Sequence, residues 1–218
     1  MAINIAIDGP SASGKSTVAK QLCQKLGYVH LDTGAMYRCV ALYFLRTGLD
    51  INDEDKLKKA LKDIKIDLTG DGKVYLNGQD VSQEIRTDRI SQQASIVSAN
   101  RFVREHLVTM QQKMAEKKGF IMDGRDIGTV VLPEAELKIY LTASSKARAM
   151  RRYLENKERG IESNLVQLQN EIAERDYRDM HRKISPLKKA DDAILIDSSN
   201  LNKDEVVAEI MKLITEKI

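Results

Sequence analysis

The eight residues Gly9-Pro-Ser-Ala-Ser-Gly-Lys-Ser16 restrict what this chain can fold into more than any other feature of it. They fit the pattern G-x-x-x-x-G-K-[ST], which carries meaning when it lies between a strand and a helix. That context is present: Ile3, Ile5 and Ile7 form a short apolar run before the motif, and an amphipathic stretch follows it to Leu26. Strand, glycine-rich loop and helix in that order open an α/β fold. Electrostatics explains the residue types. Glycines let the backbone wrap until successive N–H groups point inward at a helix N-terminus, forming a nest for an anion. Lys15 adds a mobile positive charge suited to β- and γ-phosphates, and the Ser16 hydroxyl suits Mg²⁺. A nucleoside triphosphate is therefore expected at Gly9, Pro10, Ser11, Ala12, Ser13, Gly14, Lys15, Ser16 and Thr17. The bland alternative is a glycine-rich turn ahead of an ordinary helix, and the flanking strand and helix weigh against it.

The remaining pattern continues the alternation of strands and helices. Short apolar runs at Tyr28–Leu31, Gly119–Asp123, Leu137–Leu141 and Ala193–Asp197 read as strands. Helical periodicity covers Ala35–Leu45, 50–63 (capped by Asn52 or Asp53), 88–117 with a break near Asn100, 145–183 loosened around 159–161, and 203–217. Strands separated by helices imply right-handed crossovers and a parallel sheet flanked by helices on both faces. One segment departs from this. Around Thr69-Gly-Asp-Gly72, Ile64, Ile66, Leu68, Val74 and Leu76 alternate with polar residues, and Asn77-Gly78 is a second turn signal. A β-hairpin at 64–81, in an inserted subdomain, fits that change of period. No internal repeat or low-complexity segment is present.

Composition narrows the functional classes. The chain has 218 residues, 42% hydrophobic and 31% charged, ordinary values for a globular protein with a core. No run approaches the ~20 apolar residues of a membrane span, and the start MAINIAIDGP has no cleavable apolar segment, so a cytoplasmic location is expected. Cys23 and Cys39 lack metal-ligand spacing and read as reduced packing residues. Three scattered histidines, His30, His106 and His181, do not suggest a histidine-based metal site. The net charge of +3, from 35 basic and 32 acidic residues, is too small to argue for nucleic acid. The basic stretch 146–189 is either a solvated helix face, its acids interleaved, or a set of guanidinium groups converging on phosphate.

A glycine-rich nest indicates a triphosphate without saying what becomes of it. No N-K-x-D guanine signature is present, and the small size favours a kinase of a small acceptor. A phosphorylated acceptor would require arginines outside the loop, near strand ends where ligands of such sheets bind. Three segments offer them. Asp32-Thr-Gly-Ala-Met-Tyr37-Arg38 follows the second strand, and Asp123-Gly-Arg125-Asp126-Ile-Gly-Thr129 follows another. On a helix, Arg175, Arg178, Asp179 and Arg182 share one face by i, i+3, i+4, i+7 spacing. Singly, each has a structural reading: a surface arginine, a cap, an intrahelical ion-pair ladder. Asp123, an acid ending a buried strand, reads as the partner of a Mg²⁺-bound water.

With these segments in view, LDTGAMYR (31–38), DGRDIGTVVLP (123–133) and ERDYRDMHRKISPLKKADDA (174–193) resemble bacterial cytidylate kinases across essentially the whole chain. The resemblance implies a core of 1–32, 101–150 and 164–218, an acceptor-binding insertion at 33–100, and a short lid at 151–163. It implies ATP with Mg²⁺ as donor and CMP or dCMP as acceptor, with UMP poor. The acceptor phosphate would be held by Thr33, Tyr37, Arg38, Arg125 and Arg182, cytosine by Ser95, Arg104 and Asp126, and the sugar by Arg175 and Asp179. Lys15, Arg125 and Arg182 would be catalytic, Ser16 and (through water) Asp123 would hold the metal, and Arg148, Arg152 and Arg159 would reach phosphates from the lid. A monomer with no nucleic-acid or membrane partner is expected. Rival readings are a kinase of UMP or AMP, a P-loop switch without turnover, and a nucleic-acid binder using 146–189.

Overall fold

The computed structural model describes residues 2–70 and 72–217. The chain begins with β1 (Ile5–Asp8), α1 (Lys15–Leu26), β2 (Val29–Asp32), α2 (Thr33–Thr47), α3 (Glu54–Asp63), β3 (Ile66–Leu68), β4 (Val74–Leu76) and β5 (Gln79–Asp80). It continues with α4 (Asp88–Val97), α5 (Arg101–Ala115), β6 (Phe120–Gly124), β7 (Leu137–Thr142), α6 (Ser145–Glu158), α7 (Leu165–His181), β8 (Ile194–Asp197) and α8 (Lys203–Thr215). A 3₁₀ turn at Glu84–Arg86 and a π-helical turn at Ile127–Val131 complete the elements. Two compact units result, Met1–His30 with Lys118–Ile218, and Leu31–Lys117.

The first unit is built on a five-stranded sheet of order β2-β6-β1-β7-β8. β1 lies at its centre, parallel to β6 and β7, and β7 is parallel to β8. Strand periodicity divides the side chains. Ile5, Ile7, Ile121, Leu137, Ile139, Leu141 and Ile196 fall in one apolar cluster with Val18 and Leu22 of α1 and Val206, Ile210 and Ile214 of α8. That cluster fixes α1, and with it the glycine-rich loop, at the C-terminal end of the central strand, where ligands of parallel sheets bind. α6 and α7 pack on each other in the same unit.

The second unit joins helices α2, α3, α4 and α5 to an antiparallel sheet of order β3-β4-β5. The expected hairpin is thus three-stranded. Asn77 (φ 51°) and Gly78 (φ 81°) turn β4 into β5, the pair of positive angles a tight two-residue hairpin demands. Asp53, rather than Asn52, caps α3, and Asn100 marks the break before α5 by accepting from Phe102 and Val103 N–H. In this unit α5 packs against α2 and α3. Residues 151–163 comprise the end of α6 and the turn after it, within the first unit. Among the described residues no helix is long and apolar enough to cross a membrane.

One buried tie shapes the first unit near the loop. Asp8 ends β1, and its two carboxylate oxygens accept from the N–H of Ile127 (2.8 Å) and Gly128 (2.7 Å) in the π-helical turn. Burial is the largest influence and pushes its carboxyl up to about 6; the two N–H donors and Lys15 pull it down, and Asp126 adds to the rise. The ordinary value is 3.8. Between those values the folded chain keeps a proton that the unfolded chain has released, so Asp8 makes stability fall as pH rises through that window. We predict that Asp8→Asn removes this slope. The excess stability of wild type over the variant should shrink by on the order of 3 kcal/mol from pH 4 to pH 7 in urea unfolding. A pH-independent difference would exclude the perturbed carboxyl.

Candidate active site

The glycine-rich loop leaves β1 pressed against β7. Gly9 has φ 148°, and a Cβ there would lie 2.0 Å from the Leu141 carbonyl oxygen, so no other residue fits. Ala12 has φ 57°, a left-handed angle unusual for a residue with a side chain. The loop then enters α1, whose first turn receives no side-chain cap. Helices α2 to α8 are each capped, by Asp32, Asp53, Thr87, Asn100, Ser144, Asn164 and Asn202 in turn. The N–H groups and positive dipole end of α1 are therefore available to an anion.

Lys15 is buried and folds back along its own loop, donating to the Pro10 carbonyl (2.7 Å) and the Ser13 hydroxyl (3.1 Å). Burial, and then the nearby Arg125 and Arg175, hold its pKa well below the ordinary lysine value, against the opposing pull of Asp123 and Asp8. A lysine whose charge is opposed by its surroundings gains strongly from a phosphate placed beside it. Ser16 donates to Asp123 Oδ2 (2.6 Å), and the other oxygen, Oδ1, meets His30 Nε2 at 2.6 Å. Hydroxyl and carboxylate oxygens are hard donors that fit Mg²⁺. Among the described residues no cluster of three His, Cys, Asp or Glu could hold a metal alone. His30 was not singled out from sequence; its only signal was a histidine in a strand running beside the one that ends at Asp123.

The acceptor-side residues of the first unit form two crossed ion pairs. Arg125 Nε donates to Asp179 Oδ2 (2.9 Å), and Arg182 Nη2 meets Asp126 Oδ1 at 3.4 Å. Asp126 thus pairs with Arg182 rather than with its neighbour Arg125. Burial favours a raised Asp179 carboxyl, but Arg125, Arg175 and Arg182 outweigh it and hold the group below the usual carboxylate range. Three arginines converge on one acid. Of the face drawn from sequence, Arg175, Asp179 and Arg182 turn inward while Arg178 is exposed, and Ile172 and Asp176 turn inward with them.

The second unit holds Thr33, Tyr37, Arg38, Ser95 and Arg104. Thr33 opens α2 behind its cap Asp32, whose Oδ1 accepts from Ala35 N–H while Oδ2 takes Arg38 Nη2 at 2.8 Å. Arg104 is buried on α5, donates to the Ser98 carbonyl (3.3 Å) and lies 5.7 Å from the centre of the Tyr37 ring. The Ser98 hydroxyl returns to the Ser95 carbonyl at 2.8 Å. Within this unit, residues expected on phosphate (Tyr37) and on base (Arg104, Ser95) are thereby brought together.

Arg148, Arg152 and Arg159, expected on the phosphates, lie in three different surroundings. Arg148 is buried and committed to protein: Nε donates to Ala143 O (2.9 Å), and Nη1 to Ser11 O (2.9 Å) and Asp176 Oδ2 (2.5 Å). It thereby ties the loop at Ser11 to α6. Arg159 is exposed and pairs with Glu155 on its own helix, while Arg152 is half-buried on α6. Arg151, absent from the sequence-derived set, donates to the carbonyl and hydroxyl of Ser198 and to Ser13 O, tying α6 to the loop after β8.

The chain resembles known proteins along nearly its whole length. The chain is 52% identical over 216 residues to cytidylate kinase of Bacillus cereus, covering 98% of this chain and 96% of that one. It is 53% identical over 215 residues to cytidylate kinase of Bacillus anthracis, covering 97% and 96%. In fold it is similar to shikimate kinase from Bacteroides thetaiotaomicron, with a TM-score of 0.50 at 10% identity and 99% of each chain covered. The sequence profile described as cytidylate kinase matches residues 5–216. A glycine-rich loop on the central strand, an uncapped α1, and arginines paired with acids along α7 are thus carried by a chain that belongs to the cytidylate kinase family.

Proposed function

We propose a division of roles for the reaction of this kinase, in which ATP and CMP or dCMP give ADP and CDP or dCDP. The observation that carries it is the convergence of Arg125, Arg175 and Arg182 on Asp179 in the unit that holds the loop and Lys15. Phosphoryl transfer asks a protein mostly for alignment and for compensation of negative charge. Residues 9–17 hold the ATP phosphates, and Lys15 follows the transferring oxygens. Mg²⁺, held by Ser16 and through water by Asp123, supplies further positive charge to the phosphates when bound. Thr33, Tyr37, Arg38, Arg125 and Arg182 take the acceptor phosphate, and Arg175 and Asp179 the sugar. Arg152 and Arg159 act on the phosphates from segment 151–163. We read the enzyme as a cytoplasmic monomer that uses free nucleotides.

Base choice falls to Ser95, Arg104 and Asp126. Cytosine presents an amino donor at N4 where uracil presents a carbonyl acceptor. A carboxylate accepts from the amine but meets uracil O4 acceptor to acceptor, and a buried mismatch of that kind rejects strongly. Asp126 is 4% exposed, which makes such a mismatch expensive. Arg182 lies beside it, Nη2 at 3.4 Å from Oδ1.

ADP release measured with CMP, dCMP, UMP, AMP and GMP tests the reading: CMP and dCMP should dominate, and turnover confined to UMP or AMP would overturn it. Lys15→Ala should fold normally yet lose about 3–4 kcal/mol of transition-state stabilisation, a drop in kcat of roughly 10²–10³. Near-normal turnover would remove Lys15 from the chemistry. Asp126→Asn should lower kcat/KM for CMP and shrink the CMP-to-UMP ratio, because an amide can turn its NH₂ toward O4. An unchanged ratio would assign Asp126 to the ion pair alone.

A further inference from the structure

Ser11 lies in the glycine-rich loop, and both halves of its backbone are gripped from outside the loop. Its N–H donates to Asp176 Oδ1 at 3.0 Å, and its carbonyl accepts from Arg148 Nη1 at 2.9 Å. The same Arg148 nitrogen lies 2.5 Å from Asp176 Oδ2, so carboxylate, guanidinium and backbone close a ring. A second Arg148 bond, from Nε to Ala143 O, fixes the guanidinium plane. Both side chains are buried, Arg148 at 7% and Asp176 at 6% exposure. The grip falls one residue before Ala12, whose left-handed backbone the loop needs in order to turn.

Asp176 is also placed to transmit. It sits on α7 between Arg175 and Asp179, residues given above to the sugar, and Asp179 is the acid that holds Arg125. Shifting this turn of α7 therefore moves the acceptor-side groups and pulls on the loop peptide together. An ordinary helix-packing contact would require neither a buried charge pair nor hydrogen bonds to both sides of one loop residue. Coupling between sites needs a contiguous set of contacts of this kind.

We propose that Asp176 and Arg148 are positioning residues of the kinase, which hold the phosphate loop at Ser11 in register with the helix bearing the acceptor groups. The proposal rests on the roles proposed above for the loop and for α7. Neither residue touches a nucleotide. They set the alignment of donor and acceptor, so their loss should appear in kcat more than in either KM.

The test is steady-state kinetics with ATP and CMP on Asp176→Asn, Arg148→Met and the double variant, each assayed well below its own unfolding midpoint. Asn can still accept from Ser11 N–H through its amide oxygen, and the double variant leaves no unpaired buried charge, so it keeps the fold even where a single change weakens it. A misalignment of about an ångström lowers turnover by roughly 100-fold, and that drop in kcat is expected in the double variant, with each KM within about 3-fold of wild type. The two single changes should not multiply in the double variant, because they break one device. A double variant with kcat within about 3-fold of wild type, or singles whose losses multiply, overturns the proposal. Wild-type turnover of CMP, run alongside, separates this failure from failure of the cytidylate kinase reading itself.

Discussion

Arg125 and Arg175 both act on the charge of Lys15 in the first unit, and Arg125, Arg175 and Arg182 all act on Asp179. Cations so close repel strongly in surroundings that screen them less than water does. A protein that handles phosphates requires this crowding and must still fold before any phosphate arrives. Here the compensation is acidic and specific. Asp179 answers Arg125, Asp126 answers Arg182, and Asp176 answers Arg148. Much of the local architecture follows from the need to place these acids. α7 must present Asp176 and Asp179 inward together, and the chain after β6 must turn so that Arg125 and Asp126 reach different partners.

The second unit meets the same requirement on a smaller scale. Asp32 caps α2 with one oxygen and neutralises Arg38 with the other, so one side chain settles both a helix end and a buried-side cation. Arg104 has a carbonyl and an aromatic face for company. Both kinds of partner stabilise a guanidinium.

Sequence revealed those parts whose signal is local. The loop motif sits in its required strand–helix context, the change from period 3.6 to period 2 marks the inserted sheet, and Asn100 announces a helix start by its chemistry. The parts that stayed hidden depend on tertiary partners. In a helix dense with charge, spacing alone placed Arg178 with Arg175, Asp179 and Arg182, and the inward position of Asp176 depends on the loop peptide at Ser11. The contacts of Arg148 with Ala143, Ser11 and Asp176 have no local signal either. The π-helical turn after Asp126 has no sequence signature; it forms where Asp8, more than a hundred residues earlier, accepts from its N–H groups. His30 beside Asp123 belongs to the same class, a contact made across two strands.

α1 is the helix whose first turn no side chain completes, although seven others in this chain show that capping residues were within reach of its composition. A nucleotide bound there would serve as a removable structural part. Its phosphates would provide the acceptors that serine, threonine, asparagine or aspartate provide elsewhere, and a ligand at about 100 times its Kd adds about 2.7 kcal/mol to the folded state. The lifetime of the folded chain inside a cell would then follow the size of the triphosphate pool. A starved cell would hold a kinase more exposed to proteolysis, so that enzyme abundance and donor supply fall together without any dedicated regulator.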